Sequence, residues 1–255
     1  MIKSDNDSNN FYRAIAEYYD KMTRFEQRLD SEKVIISEWM KRYNFNRVLD
    51  TACGTGLHAI ICASFGADVI GADPSVEMLS RAALYAEKHH VKIRWVNSTM
   101  QEIDHYIQTK FPMVLCLGNS LPHLLTKADL VKSIDNFYRL LEPRGKAVIQ
   151  LLNYSKILKQ QNRIIGIQKS DDHEFIRFYD FYENLIRFNV LQVHWENGKP
   201  YHYLASTHLY PYTWREIKSH LEKIGFTNFK LYGDMTFSPF QEADSPNLVI
   251  VAQKN

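Results

Sequence analysis

The stretch VLDTACGTGLHA, residues 48–59, sets an acid, a small residue and two glycines at alternate positions: Asp50, Ala52, Gly54 and Gly56. A strand that ends in an acid and runs through small residues into a helix offers a ligand bare backbone amides and a positive helix end. A second acid, Asp73, closes the next apolar run in VIGADPSVEML, 19 residues beyond Gly54. From there a carboxylate can accept both hydrogen bonds of a ribose diol. Two acids at matched strand ends therefore predict a cofactor that contains a nucleoside.

Two such cofactors fit the loop. Gly54, Gly56 and Ala59 spell the dinucleotide pattern G-x-G-x-x-A, which would make the protein a nicotinamide-dependent oxidoreductase. Asp50 points the other way, because it would repel a pyrophosphate and favour the ammonium group of a methionine-containing methyl donor. The Tyr-x-x-x-Lys pair of short-chain dehydrogenases occurs as Tyr106 and Lys110, but it precedes the fourth strand and so lies away from the carboxyl edge where a hydride acceptor would bind. Metal chemistry has little footing, since His89 and His90 are adjacent and no HxH or HxxxH pair occurs. Cys53, Cys62 and Cys116 are odd in number, lie in apolar segments and lack CxxC spacing. They read as reduced, packed thiols.

The elements that must hold these residues alternate. After two helical pieces within residues 11–43, the second opened by Ser31 and turning Val34, Ile35 and Trp39 inward, short apolar runs alternate with helices. RVLDTA, ADVIGAD, VKIRWVN, PMVLCLG and KAVIQLL read as five strands of a parallel sheet buried on both faces. The helix after Pro74 and Ser75 carries Val76, Leu79 and Ala83 on one face, and EPRG is a turn before strand five. Between Asp171 and Tyr212 the period drops to two in three aromatic-rich runs, the last two joined at Asn197-Gly198, a hairpin signal. A helix stopped by Gly225 follows. TNFKLYGD and PNLVIVAQK then stand too close for a helical crossover and predict an antiparallel pair.

The 255 residues suffice for one domain, with residues 1–45 as a helical lid over the site and 154–212 as an inserted antiparallel cap on the substrate side. Lysine and arginine total 31 against 29 acids, without a basic block, so neither nucleic acid nor an anionic membrane is an expected partner. No apolar run approaches the roughly 18 residues of a membrane span, and a cytoplasmic location is expected.

Taken in order, VLDTACGTG, VIGADPSVEML, VLCLGNSLPHL and the closing FKLYGD … SPNLVIVAQK resemble the class I S-adenosylmethionine-dependent methyltransferases from about Tyr12 to the end. CLGNSLPHL is most similar to the glycine and sarcosine N-methyltransferase branch. The resemblance implies an α/β, Rossmann-like sheet of seven strands, the last antiparallel, with S-adenosylmethionine as methyl donor and S-adenosylhomocysteine as product. It implies that Asp50, Ala52, Gly54 and Gly56 form the cofactor loop, that Asp73 binds the ribose, and that Pro74 and Met78 border ribose and adenine. Thr99 and Met100 would lie at the adenine edge, and Leu117, Asn119 and His123 near the methyl group. Tyr19 and Arg28 would close over the cofactor. Arg28, 22 residues before Asp50, would grip the methionine carboxylate through its two-pronged guanidinium.

Methyl transfer from a sulfonium needs alignment and exclusion of water more than a catalytic triad. Asn119, His123 and Tyr210 are the expected catalytic groups, and Asn119, Asn153, Tyr154 and Tyr210 the expected substrate contacts. The resemblance breaks at three positions. Thr99 and Pro112 stand where many relatives have acids, and Leu152 stands where glycine N-methyltransferases have an arginine for the substrate carboxylate. A leucine cannot pair with a carboxylate, which turns the expectation toward a less polar or cationic small-molecule amine. A protein that keeps the fold and binds the cofactor without turnover is the non-enzymatic alternative.

Overall fold

The computed structural model describes residues 4–169 and 172–255. Two helices come first, α1 (Ser4–Thr23) and α2 (Phe25–Tyr43), separated by Arg24 in the left-handed region at φ 55°. Helix α2 does not open at Ser31. Phe25, Leu29, Ile36 and Trp39 recur at helical spacing and are buried. Ser31 sits inside the helix and donates to the Arg28 carbonyl at 3.1 Å, while Val34, expected inside, is 69 % exposed.

The alternation that follows yields β1 (Arg47–Asp50), α3 (Leu57–Ser64), β2 (Asp68–Asp73), α4 (Val76–Lys88), β3 (Arg94–Asn97), β4 (Phe111–Cys116), α5 (Lys127–Leu140) and β5 (Leu141–Leu152). Near the end of the chain come α7 (Trp214–Ile224), β10 (Phe226–Tyr232) and β11 (Asn247–Lys254), after α6 (Tyr154–Gln160). The main sheet runs β10-β11-β5-β4-β1-β2-β3. Strands β3, β2, β1, β4 and β5 are parallel, and β11 is antiparallel to both of its neighbours. The closing pair is thus antiparallel as its spacing requires, with the final strand threaded between β5 and β10. EPRG is not a turn before β5 but an irregularity within it: Arg144 takes φ 64° and the register with β4 shifts there. On α4 the inward face is Met78, Leu79, Ala82 and Ala86, and Val76 is exposed.

The inserted segment forms a second sheet in the order β6 (Ile164–Lys169), β7 (His173–Phe181), β8 (Ile186–Glu196), β9 (Lys199–Leu209). It has four strands where three were expected. Strand β6 reads IIGIQK, a short run interrupted by glycine that gives no clear period-two signal. Asp171, the expected start of the meander, lies outside the described residues. The β8–β9 hairpin turns on Asn197 and Gly198, at φ 52° and 75°, as a two-residue turn with both residues left-handed requires. Helix α1 lies against this sheet, with Phe11, Ile15 and Met22 packed on Phe175, Val190 and Ala205. It is also tied to α4 by Arg81, whose Nε donates to the Asp20 carboxylate at 2.6 Å. Among the described residues no helix is long and apolar enough to cross a membrane.

One glycine of the frame carries a sharp packing demand. A Cβ on Gly71 in β2 would run into the Trp95 ring, whose far edge also presses on Gly56, itself at φ 88°. Gly71→Ala is expected to cost about 1–3 kcal/mol by overpacking, read as a lowered urea midpoint with an unchanged slope; an unchanged midpoint would show that Trp95 yields freely.

Candidate active site

The loop after β1 is held open from behind. Thr51 donates its hydroxyl to the Leu115 carbonyl at 2.9 Å, and the Cys53 amide donates to the Ala72 carbonyl at 2.9 Å. The chain then turns through Gly54 at φ 54°. Asp73 ties this loop to the start of α4: its carboxylate accepts the amides of Gly54 and Ser75, each at 2.9 Å. Asp50 is 1 % exposed. One of its oxygens accepts the Ala52 amide at a long 3.5 Å, and the other is buried without a hydrogen-bond partner. Burial pushes the Asp50 and Asp73 carboxyls each up to about 6.

Cys53, Gly54, Asp73 and Ser75 help floor a cavity of about 890 Å³, counting its open mouth, while Asp50 is buried and is not among the residues lining it. Ala52, Gly54, Asp73, Pro74, Met78, Met100, Leu117 and His123 all line it, and Tyr19 and Arg28 reach it from the N-terminal helices. A Cβ at Gly54 or Gly118 would meet nothing within 4 Å, so two stretches of bare backbone face the open space. Arg28 is held by its own helix: its Nε donates to Glu32 at 2.8 Å, and His58 bonds the other Glu32 oxygen at 2.9 Å. Burial pushes the Glu32 carboxyl up, but the bonds from His58 and Arg28 outweigh it and hold the group at about 2.

Other expected residues stand elsewhere. Gly56 caps α3 against Trp95, and Thr99 lies beside Met100, off the cavity wall. Asn119, at φ 64°, spends its side chain on structure: its oxygen accepts the Leu152 amide at 3.0 Å and its amide donates to the Tyr154 hydroxyl at 3.0 Å. Tyr154 is 1 % exposed. Asn153 caps α6 and donates to the Glu242 and Ser245 carbonyls. Tyr210 donates to Glu216 at 3.3 Å, and its amide is fixed on the Pro122 carbonyl at 2.7 Å. None of these four lines the cavity.

Tyr12 was missed. Its hydroxyl shares a 3.0 Å hydrogen bond with Nε2 of His123, and the two rings meet edge to face at 5.3 Å. In the sequence Tyr12 is one of three tyrosines on α1, and its selection depends on how that helix docks. Burial first, then Tyr19 and Asp73, push its phenol well above the ordinary range, so it acts as a neutral hydroxyl. His58, Thr55 and Cys53, also on the wall, follow from the loop once its curvature is known. The Tyr106–Lys110 pair is remote: Tyr106 is 53 % exposed and Lys110 bonds the Arg139 carbonyl.

The donor set suits one kind of ligand. On the cavity wall the Asp73 carboxylate suits a diol, Arg28 a carboxylate, and Met78, Met100 and Leu117 apolar surface, and behind the wall the buried, unpartnered oxygen of Asp50 adds negative charge that favours a cation. Ribose, ammonium, carboxylate and adenine are parts of S-adenosylmethionine.

Residues 48–145 match the family described as a methyltransferase domain. Over 259 residues the chain is 29 % identical to a glycine/sarcosine N-methyltransferase of Aphanothece halophytica, covering 99 % of this chain and 92 % of the relative. An S-adenosylmethionine-dependent methyltransferase from Clostridium acetobutylicum superposes with a TM-score of 0.81 at 17 % identity, covering 96 % and 99 % of the two chains. The sugar N-methyltransferase KedS8 from Streptoalloteichus superposes at 0.71 with 18 % identity, covering 93 % and 92 %. The 3-2-1-4-5 parallel core and the antiparallel final strand threaded beside it are the fold of the S-adenosylmethionine-dependent methyltransferases on which the chain superposes, and residues 48–145 carry the methyltransferase-domain match.

Proposed function

We propose that the protein methylates the amine nitrogen of a small molecule other than glycine, with residues 1–45 as a lid over the cofactor and residues 154–212 as the cap on the acceptor side. S-adenosylmethionine, when bound, supplies an electrophilic methyl group on a sulfonium. The chain's part is to bind, orient and exclude water. Asp73 receives the ribose hydroxyls, Asp50 the ammonium through its unspent oxygen, and Arg28 the carboxylate from a guanidinium already held by Glu32. Tyr19 closes the roof. The observation that carries the acceptor reading is Leu152. It is half-buried, packed against the main hydrophobic core, with no cation at that position to receive an amino acid's carboxylate. The relatives that act on glycine, sarcosine and sugars support nitrogen as the acceptor atom.

The Tyr12–His123 pair offers the polar contact at this end of the cavity. An attacking amine must be unprotonated and aimed, and a neutral hydroxyl bonded to an imidazole can hold it so. Tyr12→Phe removes one hydrogen bond of about 1 kcal/mol. It is expected to lower kcat/KM about tenfold while leaving the Kd for S-adenosylhomocysteine within threefold; a fall in cofactor affinity instead would assign Tyr12 to the cofactor. The function itself is tested by S-adenosylhomocysteine release with glycine, sarcosine and larger primary and secondary amines. Glycine as the best substrate, or no turnover with any amine, would overturn it.

A further inference from the structure

A second cavity, wide and open to solvent at about 1240 Å³, lies beside the first and shares Thr23 and Arg28 with it. Its wall on one side is a single face of the second helix and its cap, where Arg24, Gln27, Arg28 and Ser31 recur at helical spacing. On the other side stand Gln168 of β6 and Arg177 of β7. Three guanidiniums thus converge on one groove, and no aspartate or glutamate is among the described residues lining it. The nearby ion pairs engage other cations or leave donors over: Lys21 pairs with Asp172, and Glu32 takes only the Nε of Arg28.

Arg177 is placed with care. Its partner in register on β6 is Gly166, and a Cβ there would stand 2.7 Å from a terminal guanidinium nitrogen. A glycine at this strand position gives the guanidinium a bed that any other residue would fill. The Arg177 Nε is buried without a hydrogen-bond partner, which is a costly state for a charged donor unless the group is kept for something that binds. Gln168 bridges the two walls by donating to the Lys21 carbonyl at 2.8 Å, so the spacing between the helix and β6 is fixed.

We propose that this groove is an oxyanion site that takes a carboxylate- or phosphate-bearing molecule on Arg177 and Arg24, beside Arg28. A planar guanidinium offers paired N–H donors that match the two oxygens of either group. The anion could be the acidic arm of the methyl acceptor, which Leu152 leaves without a cation on the other side, or a separate anion bound next to the cofactor. The first source rests on the amine reading above; the site itself does not.

The test is isothermal titration of the S-adenosylhomocysteine-loaded protein with inorganic pyrophosphate at low salt. Saturable binding is expected, about tenfold weaker in Arg177→Gln and in Arg24→Gln and weaker again as salt is raised. Arg24 is exposed, so its variant keeps the test sound even if Arg177→Gln disturbs the second sheet. In both variants the Kd for S-adenosylhomocysteine is expected to stay within twofold. A companion arm compares KM for γ-aminobutyrate and butylamine. A preference for the acid that vanishes in Arg177→Gln identifies the acceptor's arm, and pyrophosphate binding with no such preference identifies a free anion; either supports the site. Pyrophosphate that binds while neither amine is methylated leaves the groove standing and removes the amine reading. No saturable binding, or binding unchanged in both variants, overturns the proposal.

Discussion

Asp73→Asn is expected to weaken S-adenosylhomocysteine binding about a hundredfold, as measured by isothermal titration at pH 7.5. The carboxylate has two tasks at once. Its oxygens accept the amides of Gly54 and Ser75, which fixes both walls of the proposed ribose site, and they retain the capacity to accept a diol. Asparagine supplies one acceptor oxygen and one donor nitrogen, so one of the two backbone amides must face another N–H. Charge-assisted bonds contribute about 1.5–3 kcal/mol each. Losing the equivalent of two gives about 3 kcal/mol or more, which is two decades in Kd. The fold should survive the change, because burial already disfavours the charged form of Asp73 and the neutral amide escapes that cost. The ligand-free melting temperature is therefore expected to move little while affinity collapses. A Kd within fivefold of the parent protein would mean that the ribose is held elsewhere.

The parallel core was legible because its strands are buried on both faces and read as unbroken apolar runs, and because acids at the ends of β1 and β2 mark the carboxyl edge. The closing pair was legible from the short distance between TNFKLYGD and PNLVIVAQK. Strand β6 was not, since IIGIQK contains a glycine whose purpose, room for Arg177, exists only once β7 lies beside it. Helix faces failed at single residues: Val34 and Val76 are apolar yet exposed, and local periodicity cannot tell a stray surface valine from the inward stripe. Within the site, Ala52, Gly54, Asp73 and Pro74 fell on the cavity wall, where the backbone after β1 and β2 determines position, while Asp50 and Gly56 stand behind it. Asn119, Asn153 and Tyr210 fell behind it, because each is consumed by a partner far along the chain. Tyr12 depends on the docking of α1 against the second sheet and onto His123, a tertiary fact that no local pattern carries.

Acidification should uncouple the cofactor from the protein before it harms the fold. Asp50 and Asp73 are each pushed up to about 6 by burial, and Asp50 raises Asp73 further. Both must be ionised to meet a cation and a diol with full strength. At pH 5 each is ionised in about one molecule in ten, so each costs about tenfold in affinity, and the Kd for S-adenosylmethionine is expected to rise up to about a hundredfold between pH 7.5 and pH 5. The ligand-free protein responds with the opposite sign. Carboxyls whose folded value exceeds the ordinary 3.8 bind protons more readily folded than unfolded, so they destabilise the fold as pH rises from about 4 to 6 and relieve it as pH falls. Glu32, held at about 2, acts in the ordinary direction: its contribution is present above about 4.5 and is lost as pH falls toward 2. From pH 7.5 to pH 5, then, the melting temperatures of cofactor-bound and free protein should converge, through loss of binding rather than loss of structure. Asp50→Asn should bind more weakly at pH 7.5 and show only about a tenfold further loss at pH 5, since one of the two titrating groups is gone. An affinity flat within threefold across that range would remove both carboxylates from cofactor recognition and leave the unpaired oxygen of Asp50 without a role.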